Sequence, residues 1–265
     1  MSMTKIVFLT GSHPRHAYMA RCLAGTGALA GLVIEQREAF VPEAPAGLPR
    51  ATEHLFALHF ARRDEAEGHH FGPATLPEVV TRTVEMAELN TGATVDFINA
   101  LRPDLILSYG VHKLTPETLA GVAAPLKWNI HGGLSPWYRG VTTHFWPSYC
   151  LEPQMTGMTV HELTQDIDGG AIIHQSAAAL VHGDGLHDLA CRAVMALGEE
   201  MPHLIGALAR LKPPHRQGTT GRIWRSADWR PAHLHVIYEL YEDRIVDHYL
   251  DGAFGQAEAK LFRQF

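Results

Sequence analysis

An amide and an imidazole stand two residues apart at Asn129-Ile130-His131. On a strand, residues i and i+2 face the same side, so both side chains look toward one place. Gly132-Gly133-Leu134-Ser135-Pro136 follows at once, and backbone of that composition can approach a flat ligand closely. A donor to an oxygen beside an acceptor of protons is how an acyl-transfer site begins. A third polar group, Asp168, comes one helix and one strand later, ahead of Gly169-Gly170. Its loop can fold back over the carboxyl end of a sheet. Alone, each of the three has an ordinary reading: a turn amide, one of 18 histidines, a surface acid. Their order and context raise them together.

The elements that must position them read as an α/β fold. Ile6-Val7-Phe8-Leu9-Thr10 is a continuous apolar run ended by Gly11-Ser12, the pattern of a strand buried on both faces. A helix is expected from near His13-Pro14, with Ser12 as its cap and Gly25 and Gly27 as its stop. Leu29 to Glu35 is the second strand, and β-α-β leads to a doubly wound, Rossmann-like, mostly parallel sheet. Gly25-Thr26-Gly27 lies after the helix, where a dinucleotide fingerprint does not sit. Gly11-Ser12, with Arg15 and His16, reads equally as an ordinary turn or as an anion site at a helix start.

Residues 36 to 75 read as a variable excursion with a helix near Glu53 to Arg62 and His69-His70 in a loop. Helices are expected over Leu76 to Leu89 and Val95 to Leu101, and a strand over Leu105 to Tyr109. Thr115 caps the next helix, with Pro116 in its first turn. Lys127 to His131 is a strand, Val141 to Tyr149 a helix-length stretch, and Met155 to Glu162 and Ala171 to Gln175 are strands. Gly185 to Leu211 is a long amphipathic helix that caps the sheet. Ligands of such sheets bind outside the carboxyl ends of strands, where Tyr109-Gly110 and Asn129-His131 both stand. The division expected is a catalytic domain over 1–211 and a small extension over 212–265. Within that extension the spacing predicts a helix at His235 to Tyr241 and a small β element in the last twenty residues. Ile223-Trp224 and Val236 to Tyr241 offer apolar surface that could pair two chains as a homodimer.

A net charge of −6 argues against a nucleic-acid partner, which needs a basic face. Cys22, Cys150 and Cys191 are few, far apart and odd in number, which fits a reducing cytoplasm. The apolar run after Lys5 is too short for a signal peptide, and no run approaches a membrane span.

The chain resembles the 10-formyltetrahydrofolate-dependent formyltransferases. Their ordered motifs stand here as Asn129-Ile130-His131, Gly133-Leu134-Ser135-Pro136, Tyr138-Arg139-Gly140, Gly157-Met158-Thr159-Val160-His161 and Asp168-Gly169-Gly170. Pro103 to Gly110 also looks familial, and the match spans about residues 100 to 176. The resemblance implies formyl transfer from the folate co-substrate to the amine of a small acceptor, with no metal. Asn129 and a protonated His131 would stabilise the oxyanion, while Asp168 would orient His131 and help to move the proton. Folate contacts carry over to Tyr109, Gly110, Lys113, Leu114, Gly133, Leu134, Ser135, Pro136, Thr164, Asp166 and Ile167, largely through backbone. Two departures narrow the acceptor. The Gly-rich phosphate loop of the glycinamide ribonucleotide enzymes is replaced by Gly11 to His16. The large basic C-terminal domain of the methionyl-tRNA enzymes has no counterpart of that size in 212–265. An amino sugar, a nucleotide-linked amine or another biosynthetic amine is expected, with Arg15, His16, Tyr18 and the 36-to-75 excursion shaping its pocket.

Three rival readings remain open at this level. A 10-formyltetrahydrofolate hydrolase would use the same three residues. A non-catalytic folate-binding homologue would keep the fold alone. A metal enzyme would need His131, His144, His161 and His174 to converge, and no His-Glu-x-x-His spacing is present.

Overall fold

The computed structural model describes residues 4–36, 42–218, 222–255 and 258–265. Seven strands of the described residues form one sheet: β1 (Ile6–Thr10), β2 (Leu29–Glu35), β3 (Val80–Val84), β4 (Leu105–Tyr109), β5 (Leu126–His131), β7 (Gly157–Glu162) and β8 (Ile172–Ala177). Across the sheet they lie in the order β3-β2-β1-β4-β5-β7-β8. The first five are parallel, and β7 and β8 join antiparallel. The doubly wound, mostly parallel expectation holds. β1 and β4 are buried at every position because both faces are covered. One face carries α1 (Pro14–Gly25), α2 (Arg50–Phe71) and, further on, α7 (Leu186–Gly206). The other carries the short helices α3 (Met86–Leu89), α4 (Gly92–Ala100) and α5 (Pro116–Gly121).

Several sequence expectations give way to tertiary contact. The helix expected over 76–89 is mostly the edge strand β3 with α3 after it. Val80-Thr81-Arg82-Thr83-Val84 is rich in β-branched residues and pairs in register with Gly31 to Glu35. The helix expected over 53–62 runs the full length of α2 and carries His69 and His70 in its last turn. There His70 Nε2 meets Asp188 Oδ1 at 2.9 Å, so the pair is not in a loop. Ser12 does not cap α1; His13 occupies that position and makes no side-chain cap bond. The Val141-to-Tyr149 helix shrinks to α6 (Trp146–Tyr149), since Thr142 has φ 56. Parts of the 36-to-75 excursion, of the segment after Lys212 and of the last twenty residues (37–41, 219–221 and 256–257) lie outside the described residues.

Among the described residues after α7 there is no small β element in the last twenty positions, where one was expected. The residues after α7 give one strand, β9 (Arg222–Trp224), a five-residue π-helical stretch at Val236–Leu240, and α8 (Ile245–Leu250). β9 pairs with β6 (Tyr138–Gly140), which leads out of the Gly-Pro loop. Trp224, Ile237 and Tyr238 are buried in a second core with Phe56, Phe60, Tyr138, Phe145 and Trp146. The apolar side chains that the sequence offered for pairing two chains are thus mostly spent within this one.

β6 and β9 meet where Gly140 has φ 97, and a Cβ there would collide with the Trp224 carbonyl. Gly140→Ala should therefore lose more than about 2 kcal/mol in urea unfolding. Gly183→Ala, at φ 89 with open space around it, should lose only about 1 kcal/mol. Equal losses would contradict the close packing of β9 on β6.

Candidate active site

Register assembles the site. Ser108 on β4, Asn129 on β5 and His161 on β7 lie side by side across three neighbouring strands. Ser108 Oγ–H donates to Asn129 Oδ1 at 2.7 Å, and Asn129 Nδ2 stands 3.2 Å from His161 Nε2. Ser108 thereby fixes which end of the amide is which, and His161 takes one of its two N–H groups. The second N–H is left for a ligand. His161 Nδ1–H donates to the Glu162 carbonyl at 2.8 Å, which sets the ring's orientation.

His131 follows Asn129 on the same face and is 6% exposed. Its Nε2–H donates to the Tyr138 carbonyl at 2.8 Å. Nδ1 stands 3.4 Å from Asp168 Oδ2, and His161 Nε2 is 3.4 Å from Asp168 Oδ1. Asp168 Oδ2 also accepts from the Gly140 N–H at 2.8 Å. Burial alone would push the Asp168 carboxyl up, but His131, His161 and the Gly140 N–H outweigh it and hold the pKa down at about 2. Burial pushes the His131 pKa below its ordinary value, against the pull of Asp168. The resulting pair is an ionised carboxylate beside an imidazole whose free nitrogen, Nδ1, can take a proton and have its charge balanced at once. Asn129, His131 and Asp168 are thus brought together, as their order in the sequence led us to expect.

The loop after β5 is held by side chains of β7 and β8. Thr159 Oγ1–H donates to the Gly133 carbonyl at 2.7 Å and accepts from the Ser135 N–H at 3.0 Å. Gln175 Nε2 donates to the Ser135 carbonyl at 2.7 Å. Gln175 is held in turn by Phe262, whose N–H reaches Oε1 at 3.0 Å and whose carbonyl accepts the Gln175 N–H at 2.9 Å. At Gly133 a Cβ would come within 2.7 Å of His131 Nε2, so only glycine lets the loop pass that close. Thr159 and His161 were visible as motif residues; their contacts depend on register. Gln175 and Phe262 carried no local signal.

The residues expected to meet folate divide in two. The side chains of Tyr109, Leu114, Leu134 and Ser135 are buried in protein, so they can offer only backbone to a ligand. Gly110, Gly133 and Pro136 likewise contribute main chain or ring surface. Lys113, Thr164, Asp166 and Ile167 are exposed. Lys113 Nζ donates to the Gln165 carbonyl at 2.6 Å and ties the loop after β4 to the loop before Asp168. Glu35, fully buried at the end of β2, fixes that first loop through the His112 N–H at 2.8 Å and its Nδ1 at 2.6 Å. Ile167, Trp137 and Val141 are exposed apolar side chains next to Asp168, Tyr138 and Gly140. Tyr18 does not reach the site: its ring packs on Phe71 and against Gly198, within the α1, α2 and α7 layer. At the β1–α1 turn, Glu67 takes the place an anion would hold, ion-paired with Arg15 and 3.4 Å from its N–H. Among the described residues no group of three or more His, Cys, Asp or Glu is disposed to hold a metal ion, and no helix is long and apolar enough to cross a membrane.

A family model described as formyl transferase matches residues 43–205. The bifunctional polymyxin resistance protein ArnA of Wigglesworthia glossinidia brevipalpis is 30% identical over 121 residues, which is 44% of this chain and 18% of that protein. The chain therefore spans less than a fifth of that relative's length. Among solved structures, phosphoribosylglycinamide formyltransferase from Anaplasma phagocytophilum superposes with a TM-score of 0.55 at 17% identity, covering 85% of this chain and all of the other. A sugar N-formyltransferase from a Shewanella species gives 0.52 at 17% identity, covering 84% and 78%. At these identities the likeness concerns the fold.

The depressed Asp168 pKa has a measurable consequence. A carboxyl lowered on folding adds stability that is present above its unfolded pKa and is lost as pH falls through the folded one. The contribution is on the order of 2 kcal/mol above about pH 5, and about half of it is gone at pH 3. The stability gap between wild type and Asp168→Asn, followed by urea unfolding, should narrow by about 1 kcal/mol between pH 6 and pH 3. A gap that stays constant over that range would refute the charged, paired state of Asp168.

Proposed function

The chain belongs to the formyl transferase family, and from that premise we propose that it moves the formyl group of 10-formyltetrahydrofolate to the amine of a small acceptor. The convergence of Asn129, His131 and Asp168 outside the carboxyl end of β5 is the observation that carries this reading. It supplies an oxygen-directed donor, a proton acceptor and a fixed negative charge in one place.

The neutral acceptor amine attacks the formyl carbon, and the carbonyl oxygen becomes an oxyanion. Asn129 donates its remaining N–H to that oxygen. His131, neutral at the start, takes the amine proton at Nδ1, and Asp168 balances the imidazolium. The proton then passes to N10 as the bond from the formyl carbon to N10 breaks. The products are the formamide and tetrahydrofolate, with no metal and no covalent enzyme intermediate required. The loops at 110–114, 133–136 and 164–167 are the proposed folate walls, with Ile167 and Trp137 offering apolar surface to flat rings.

Glu67 speaks to the acceptor. A carboxylate already lies against the start of α1, where an incoming phosphate would meet like charge. An amino sugar, a nucleotide-linked amine or another biosynthetic amine that places no phosphate there is the acceptor class this supports. The sugar substrate in the Shewanella protein's name agrees with that class. The proposed setting is the cytoplasm, where the folate donor is made available.

The test is an amine panel with 10-formyltetrahydrofolate, following tetrahydrofolate release and formamide formation. One amine should be formylated, and Asn129→Ala and His131→Ala should each lower kcat by roughly 10²- to 10³-fold. Formate release that is indifferent to amine would make the protein a hydrolase. Turnover unchanged in His131→Ala would remove that residue from the mechanism.

A further inference from the structure

The catalytic aspartate has an unusual backbone. Asp168 sits at φ 44, in the left-handed region, which a side-chain-bearing residue keeps only when its surroundings hold it there. Its carboxylate is gripped by His131, His161 and Gly140. On the main chain of this loop the nearby contacts are long or lie further back: Ser135 Oγ–H reaches the Asp168 carbonyl at 3.5 Å, the Gly169 N–H the Asp166 carbonyl at 3.3 Å, and Lys113 Nζ the Gln165 carbonyl at 2.6 Å.

The main chain is held from the other side by a residue far along the sequence. After α7 the chain returns to the edge of the sheet at His215, which exchanges two backbone hydrogen bonds of 2.8 Å with Ile172 at the start of β8. Two residues later Gln217 reaches over the loop. Its Nε2 donates to the Asp168 carbonyl at 2.7 Å and to the Gly170 carbonyl at 2.7 Å. Two carbonyl oxygens can face only the NH2 end of an amide, so its orientation is fixed by this contact. Gln217 thus spans Gly169 and clamps the turn that aims the carboxylate. It lies outside residues 43–205, the stretch matched by the family model.

We propose that Gln217 is a positioning residue of the formyl-transfer site, which pins the main chain at Asp168 and Gly170 so that the carboxylate meets His131. This rests on the formyl-transfer reading for its effect on turnover. Its effect on His131 does not depend on that reading. The region after α7 is then part of the active centre and not an appendage to it. Phe262, bonded to the Gln175 that holds the Ser135 carbonyl, is a second such contact from the same region.

Gln217→Met keeps the shape of the side chain and removes its two donors. Formyl-transfer kcat should fall roughly 10- to 100-fold, as expected for a displaced catalytic group, with folate KM within about twofold. The His131 imidazole, which faces Asp168, His161, Arg139 and His144, should titrate at least about half a pH unit lower by NMR as the carboxylate recedes. Gln217→Asn, which keeps the amide but is one methylene too short to reach both carbonyls, should fall between wild type and Gln217→Met in titration and rate. A folded Gln217→Met protein with an unchanged His131 titration would overturn the proposal, whatever happens to kcat. Were Gln217→Met to unfold, Gln217→Asn would decide: a folded protein whose His131 titrates lower than in wild type supports the clamp, and an unchanged titration overturns it. Absence of formyl transfer in wild type would instead count against the proposed function, and the titration would still judge Gln217.

Discussion

One buried carboxylate organises this structure. Asp168 lies between two imidazoles and a backbone N–H, and a charge in so enclosed a place must be met by polar partners on nearly every side. Each partner comes from a different element. His131 ends β5, His161 lies on β7, and Gly140 belongs to β6. Holding them together requires the antiparallel turn of β7 onto β5 and the packing of β9 against β6. The sheet's mixed topology and the docking of the late chain segments are therefore conditions of the site.

The same constraint explains why the imidazole is kept under tension between two states. Burial favours a neutral His131, and Asp168 favours a charged one. A group balanced in this way can accept a proton and return it within one reaction. Asn129 is prepared differently. Ser108 and His161 fix its amide, so its second N–H is held in one direction.

Much of the frame was legible in the sequence because it obeys local rules. The runs at Ile6, Leu29 and Leu105 are continuous and apolar, as strands buried on both faces must be. Asn129 and His131 share a face through strand alternation alone, and Asp168 stood out through its Gly-Gly neighbour and its place in the motif order. What failed had no local cause. Val80 to Val84 reads weakly by itself and becomes a strand through pairing with β2. Tyr18 was placed by proximity to the first loop, yet its helix turns it toward Phe71. Gln175, Gln217 and Phe262 act through contacts with residues 40 to 87 positions away. No periodicity carries such contacts. The boundary drawn at 211 followed a change of composition, whereas the packing runs across it, with Trp224 and Tyr238 in one core with Phe60 and Trp146.

Asp168 stays ionised because its neighbours hold it. Carbon-13 NMR of the Asp168 carboxyl, followed across an acid titration of the folded protein, reads this directly. The account predicts a carboxylate that does not protonate until about pH 2. A titration near pH 4, where a solvent-exposed aspartate protonates, would contradict it.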